Sequence, residues 1–217
     1  MSIAVKICGL SDAAGFDAAV DAGADLVGFV FYPPSPRAVT AEAAAALSSR
    51  HQGGPLRVGL FVDPSDEMLA RTLGTVALDL VQLHGAEDAA RVAAIRARFG
   101  IPVMKAAGVA AREEVAATIA EFGTVADRLL FDAKPPSPGT PGALPGGNAM
   151  AFDWSVMQDA SVPVPWLLAG GLTPVNVAEA IRIAHAPGVD VSSGVERSRG
   201  VKDSALVRAF IAAAKGA

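Results

Sequence analysis

Ile3-Ala4-Val5-Lys6-Ile7-Cys8-Gly9-Leu10-Ser11-Asp12 reads as a short strand, a glycine turn and the start of a helix. Working outward, the same unit recurs along the chain. Candidate strands at Ile3–Ile7, Leu26–Phe31, Arg57–Val62, Leu80–Leu83, Pro102–Lys105, Arg128–Phe131, Pro165–Ala169 and Val189–Ser192 are short apolar runs bounded by turn residues. Between them, alanine-rich segments near 12–22, 40–49, 65–74, 87–98, 111–121, 155–159, 174–185 and 203–214 carry apolar residues at helical spacing. Ser11-Asp12, Thr40 with Glu42, Asp63-Pro64-Ser65, Thr173-Pro174 and Lys202-Asp203 supply N-cap oxygens or N1 prolines. Eight βα units in 217 residues predict an α/β fold, a single-domain (β/α)8 TIM barrel spanning residues 1–217. A doubly wound sheet with a dinucleotide site is disfavoured, because Ile7-Cys8-Gly9-Leu10-Ser11 lacks the G-x-G-x-x-G spacing.

Composition agrees with a buried parallel sheet. The chain is 52% hydrophobic and 18% charged, with a mean hydropathy of +0.40. A net charge of −4 argues against nucleic acid as a partner, since backbone binding needs clustered Lys and Arg. The one cysteine forbids an intramolecular disulfide and a multi-cysteine zinc site, and fits a reducing compartment. No signal-peptide or membrane-span pattern is present, so the reading is a cytoplasmic protein with no membrane partner. One segment breaks the rhythm. The Pro/Gly-rich stretch at about 133–149 is too long for a routine connection and follows the sixth strand, where a barrel enzyme carries a lid.

In a barrel the chemistry sits where strands run into loops at the C-terminal face, so those junctions are the places to search. The first strand ends in Cys8-Gly9, setting the only thiol at the rim as a base, a nucleophile or a small buried hydrophobe. The sixth ends in Asp132, a carboxyl that loop closure would desolvate in favour of its acid form, or else a turn residue. After the second strand, the proline-stiffened loop Tyr32–Arg37 presents Arg37 at the rim, for a substrate carboxylate or else as a solvated surface arginine. The fourth ends in His84, which finds no second His or Cys ligand at another strand end, so no metal is expected. The seventh and eighth end in Gly170-Gly171 and Ser192-Ser193-Gly194, the loops with which barrels hold a phosphate. A small phosphorylated molecule is the implied partner. His51 and His185 lie at helix ends and read as solvated.

Taken together, the chain resembles the phosphoribosylanthranilate isomerases of tryptophan biosynthesis. The resemblance is carried by Lys6-Ile7-Cys8-Gly9-Leu10, Phe29-Val30-Phe31 through Ser35-Pro36-Arg37, Val58-Gly59-Leu60-Phe61-Val62, Gln82-Leu83-His84-Gly85, Leu168-Ala169-Gly170-Gly171-Leu172 and Val189 to Glu196, in that order. It implies an Amadori rearrangement of N-(5-phosphoribosyl)anthranilate to 1-(2-carboxyphenylamino)-1-deoxyribulose 5-phosphate, without a cofactor, by a monomer or homodimer. By match to the family motifs Asp132 is the acid and Cys8 the base. Arg37 takes the anthranilate carboxylate, Asp190 the ribose-derived part, and Gly171, Ser193 and Gly194 the phosphate, with His84 shaping the pocket. A thiolate base requires the Cys8 pKa to be lowered by nearby donors or positive charge. Lys6 shares its face of the strand, at a separation the sequence does not give. Pro145-Gly146-Gly147-Asn148-Ala149 departs from the family's Gly-Gly-Thr/Ser-Gly before Phe152-Asp153-Trp154. Two other barrels fit less well: an indole-glycerol-phosphate synthase would call for a lysine acid, and a ribulose-phosphate epimerase for a metal. A barrel that binds a phosphorylated ligand without catalysis is the remaining alternative.

Overall fold

In the computed structural model, residues 2–134 and 152–217 are described. Eight strands, β1 (Ala4–Cys8), β2 (Leu26–Val30), β3 (Leu56–Phe61), β4 (Leu80–Leu83), β5 (Val103–Val109), β6 (Arg128–Ala133), β7 (Trp166–Leu168) and β8 (Gly188–Val191), pair in parallel in chain order. β8 closes on β1 to complete the barrel, with Lys6 opposite Asp190. Side chains alternate across the sheet. Val5 and Ile7 of β1 join the large core beneath the helices, whereas Ala4 packs with Leu26, Val58, Leu80, Met104, Leu130 and Leu167 inside the barrel, and Cys8 with Val30 and Leu60 nearer its mouth.

The bottom of the barrel repeats one device. Asp25, Asp79 and Asp127 stand one residue before β2, β4 and β6, and each carboxylate accepts from a backbone N–H within the first two residues of the preceding strand: Val5 at 2.8 Å, Arg57 at 2.7 Å and Val103 at 2.9 Å. Donors that would otherwise be orphaned at the strand ends are thereby satisfied.

Six of the connecting helices are α1 (Ala13–Asp21), α2 (Ala41–Ser48), α3 (Asp66–Thr75), α4 (Ala89–Phe99), α5 (Arg112–Phe122) and α6 (Val177–Ala184), and α7 (Ser204–Lys215) ends the chain. The side chains of Asp12, Thr40, Ser65, Asp88 and Asp203 cap five of them. Two expected helices are corrected. The segment near 155–159 is a single 3-10 turn, Trp154–Met157, because Asp153 caps it at Ser155 and the left-handed backbone at Asp159 turns the chain away. The segment expected from 174 begins at Val177: Thr173 and Asn176 bond reciprocally in a turn that occupies the first residues. The strand expected to stop at Lys105 continues to Val109 along β6. Beyond β8 comes a feature the sequence did not announce, a 3-10 turn Ser193–Val195 and an antiparallel hairpin of β9 (Glu196–Ser198) and β10 (Val201–Lys202). Of the loop expected at 133–149, only Ala133 and Lys134 are among the described residues.

The loops after β3 and β4 are locked together by a buried carboxylate. Glu87 accepts from the backbone N–H of Asp63 (2.8 Å) and Gly85 (2.9 Å) and from Lys105 Nζ (2.7 Å), which also reaches the Gly85 carbonyl at 2.7 Å. Lys105 and Glu87 are both buried, so removing one partner strands the other. Glu87→Ala is expected to cost about 3 kcal/mol or more of stability, read as a lower midpoint of chemical denaturation. A loss under about 1 kcal/mol would mean the pair does not brace this face.

Candidate active site

The apolar run of β1 carries its thiol to the barrel mouth, where Cys8 is only 4% exposed. Beside it Lys6 is fully buried, an arrangement that requires a specific partner. That partner is Asp190 of β8, whose Oδ1 lies 2.8 Å from Lys6 Nζ. The neighbouring position on β2 is Gly28. A Cβ there would come within 3.0 Å of Cys8 Sγ and 3.2 Å of Lys6 Nζ, so the missing side chain is the space that thiol and ammonium share.

Burial works against the Lys6 charge, yet Asp190 and hydrogen bonding to Asp190 and Cys8 outweigh it and raise the lysine above its ordinary value. For Cys8 burial wins. It pushes the thiol up, while the Lys6 charge and hydrogen bond, and more weakly Lys202, pull it down and Asp190 adds to the rise. The expectation of a net lowering is therefore corrected. Lys6 is the right cation in the right place, but its charge is largely answered by Asp190, so desolvation decides the sign.

β6 brings Asp132 to the same mouth, 7% exposed. Its Oδ1 accepts from the Ala133 backbone N–H at 2.8 Å, and its Oδ2 lies 3.5 Å from His84 Nε2. His84 Nδ1 is 3.4 Å from the side-chain amide nitrogen of Gln82, which is fully buried and whose Oε1 has no hydrogen-bond partner among the described residues. The imidazole thus sits between an amide and the carboxyl, a closer tie to Asp132 than pocket lining. Gln82 is a residue that strand-end reading passed over, because it lies one inward position below the rim.

Arg37 is not a solvated surface guanidinium. It is buried and held by a fork with Glu196, Nε to Oε1 at 2.7 Å and Nη2 to Oε2 at 3.0 Å. Glu196 also accepts from Lys202 Nζ (2.8 Å) and the Gly200 backbone N–H (3.0 Å). Burial alone would raise Glu196, but the bonds from Arg37 and Lys202 overcome it and hold the carboxyl at about 2. Gly9 makes the crossing possible: a Cβ there would lie 2.7 Å from Arg37 Cδ.

The two phosphate-type loops meet through backbone. A Cβ on Gly194 would fall 1.8 Å from the Leu172 carbonyl oxygen, so only glycine lets the β8 loop rest on the β7 loop. Gly171 adopts a left-handed φ of 61°, and its carbonyl accepts from Asn176 Nδ2 at 3.1 Å. Two of the residues expected to contact phosphate also make contacts within the fold. Gly170 packs on the end of β6, where its Cβ would meet the Ala133 nitrogen at 2.7 Å, and the hydroxyl and carbonyl of Ser192 are both taken by Lys202 Nζ, at 3.2 and 2.8 Å. Away from the mouth, His51 bonds Asp17 and His185 ends α6. Among the described residues, no group of three His, Cys, Asp or Glu side chains is placed to hold a metal ion, and no helix is long and apolar enough to cross a membrane.

Comparison with known proteins returns one family. Residues 5–213 match the family model described as N-(5'phosphoribosyl)anthranilate (PRA) isomerase. The N-(5'-phosphoribosyl)anthranilate isomerase of Paracoccus denitrificans is 57% identical over 214 residues, covering 99% of this chain and 98% of that one. Among crystal structures, phosphoribosyl anthranilate isomerase in complex with reduced 1-(o-carboxyphenylamino)-1-deoxyribulose 5-phosphate superposes with a TM-score of 0.83 at 35% identity, over 99% of this chain and 100% of that one. The structure of mutually generated monomers of the dimeric enzyme from Thermotoga maritima gives the same TM-score, identity and coverage. The chain belongs to the N-(5'-phosphoribosyl)anthranilate isomerase family, enzymes of tryptophan biosynthesis.

Proposed function

We propose that the isomerisation proceeds as an Amadori rearrangement in which Asp132 is the general acid and Cys8 the general base. The observation that carries this is their shared placement: each ends its strand in the barrel mouth, buried, with the Gly171 and Ser193-Gly194 loops at the same end. Asp132, as the carboxylic acid, gives its proton to the furanose ring oxygen. The bond from that oxygen to C1 breaks, and the nitrogen lone pair closes a C1=N Schiff base. Cys8, as the thiolate, takes the proton from C2, and the released electron pair forms the C1=C2 enolamine while neutralising the nitrogen. Tautomerisation to the ketose adds a proton at C1 and removes one from the enol oxygen, so no redox equivalent is consumed and acid/base groups suffice.

Arg37, fixed by its fork with Glu196, meets the anthranilate carboxylate with its guanidinium. Asp190, anchored by Lys6, faces the ribose-derived chain, and the backbone of Gly171, Ser193 and Gly194 takes the phosphate. His84 sits where it orients the Asp132 carboxyl. The reading carries with it a cytoplasmic location, supported by the lone thiol, and a small phosphorylated molecule as the partner, with no nucleic acid or membrane. The protein works as a monomer or a homodimer, a state supported by the dimeric Thermotoga maritima relative.

The assay is the loss of anthranilate-type fluorescence when the substrate is generated in situ from anthranilate and phosphoribosyl pyrophosphate by an auxiliary transferase. Cys8→Ser and Asp132→Asn are each expected to cut turnover by about 100-fold or more with the fold retained. Near-normal turnover in either variant removes that residue from its role. Arg37→Ala is expected to raise KM by about 10- to 100-fold, and an unchanged KM would place the carboxylate elsewhere.

A further inference from the structure

The β9–β10 hairpin lies outside the eightfold repeat, yet its two cross-strand partners, Glu196 and Lys202, point into the barrel mouth and are buried there. Every bonding site the pair has is used. Glu196 accepts four hydrogen bonds, two from Arg37, one from Lys202 and one from the Gly200 backbone, which matches the capacity of a carboxylate. Lys202 Nζ makes three contacts as donor, to Glu196 Oε1 and to both oxygens of Ser192, which matches the capacity of an ammonium. Ser192 opens the β8 loop. One continuous chain of charged hydrogen bonds therefore runs from Arg37 through Glu196 and Lys202 to the loop carrying Ser193 and Gly194.

The hairpin turn is braced as well. Gly200 has a left-handed φ of 85°, and a Cβ on it would lie 2.6 Å from the Pro36 carbonyl oxygen, so the turn rests against the loop that presents Arg37. A saturated, buried network of this kind has one arrangement, and its geometry is costly to change. Its two ends are the groups assigned above to the two anionic ends of the substrate.

We propose that Glu196 and Lys202 are positioning residues that hold Arg37 at a fixed separation from the phosphate loop, so that the enzyme selects a substrate with a carboxylate at one end and a phosphate at the other. The inference rests on the assignment of Arg37 to the carboxylate. It deepens that assignment by placing the specificity in a hairpin that touches neither end of the substrate directly.

The test compares two substrates in each protein: N-(5-phosphoribosyl)anthranilate, and the analogue without the carboxylate made by condensing ribose 5-phosphate with aniline. The readout is the ratio of kcat/KM for the two, taken within one preparation so that the folded fraction cancels. The wild type is expected to favour the carboxylated substrate by about 10- to 100-fold, and Arg37→Ala to lose that preference. Glu196→Gln, which is isosteric, and Lys202→Met are each expected to shrink the preference to within about 3-fold of unity, because a misaligned guanidinium no longer tells the two apart. A merely structural role would lower both substrates alike and leave the ratio unchanged. If Arg37→Ala loses the preference while Glu196→Gln and Lys202→Met keep it, the positioning role is overturned. If Arg37→Ala itself keeps the wild-type preference, the carboxylate assignment is what fails.

Discussion

A lysine with no solvent exposure stands inside the barrel, and the mouth is arranged around it. An ammonium cannot be buried without compensation, so Lys6 requires Asp190 across the β1–β8 seam, and Asp190 in turn is held facing the pocket. The same ammonium lies beside Cys8, in the gap left by Gly28. Three residues on three adjacent strands thus meet at one charge: Asp190 of β8, Cys8 of β1 and Gly28 of β2.

A second set of buried charges lies near Cys8. Arg37, Glu196 and Lys202 join the β2 loop to the β8 loop through a hairpin, with Gly9 clearing a path for the arginine stem. The thiol therefore lies near two ion-paired networks whose cations are mostly neutralised by their own carboxylates. This explains why burial prevails at Cys8 although two lysines lower it.

Much of this was legible in the sequence. Short apolar runs separated by alanine-rich segments located all eight barrel strands, because a strand buried on both faces is apolar over most of its length. Strand ends pointed to Cys8, Asp132 and His84 for the same reason that barrels carry chemistry there. The extension of β5 to Val109 was hidden by Ala106-Ala107-Gly108, weak strand formers that are held in the ladder by β6. The expected helix near 155–159 has helix-forming residues but no room to propagate before the turn at Asp159. The Glu196 fork to Arg37 spans 159 positions in the chain, and no local pattern encodes a contact at that range. Lys202 read only as the residue before an N-cap, because two residues of strand are too few to show alternation. Gln82 was passed over because the search stopped at the rim.

The most direct test of this electrostatic arrangement is the pH dependence of Cys8 alkylation by iodoacetamide, which reports one site because the chain has a single cysteine. The comparison is wild type against Lys6→Met. Removing the ammonium takes away the strongest influence favouring the thiolate, so the alkylation midpoint is expected to move upward by about one pH unit or more, with slower modification at neutral pH. A midpoint that stays in place, or moves down, would contradict the claim that Lys6 favours the Cys8 thiolate.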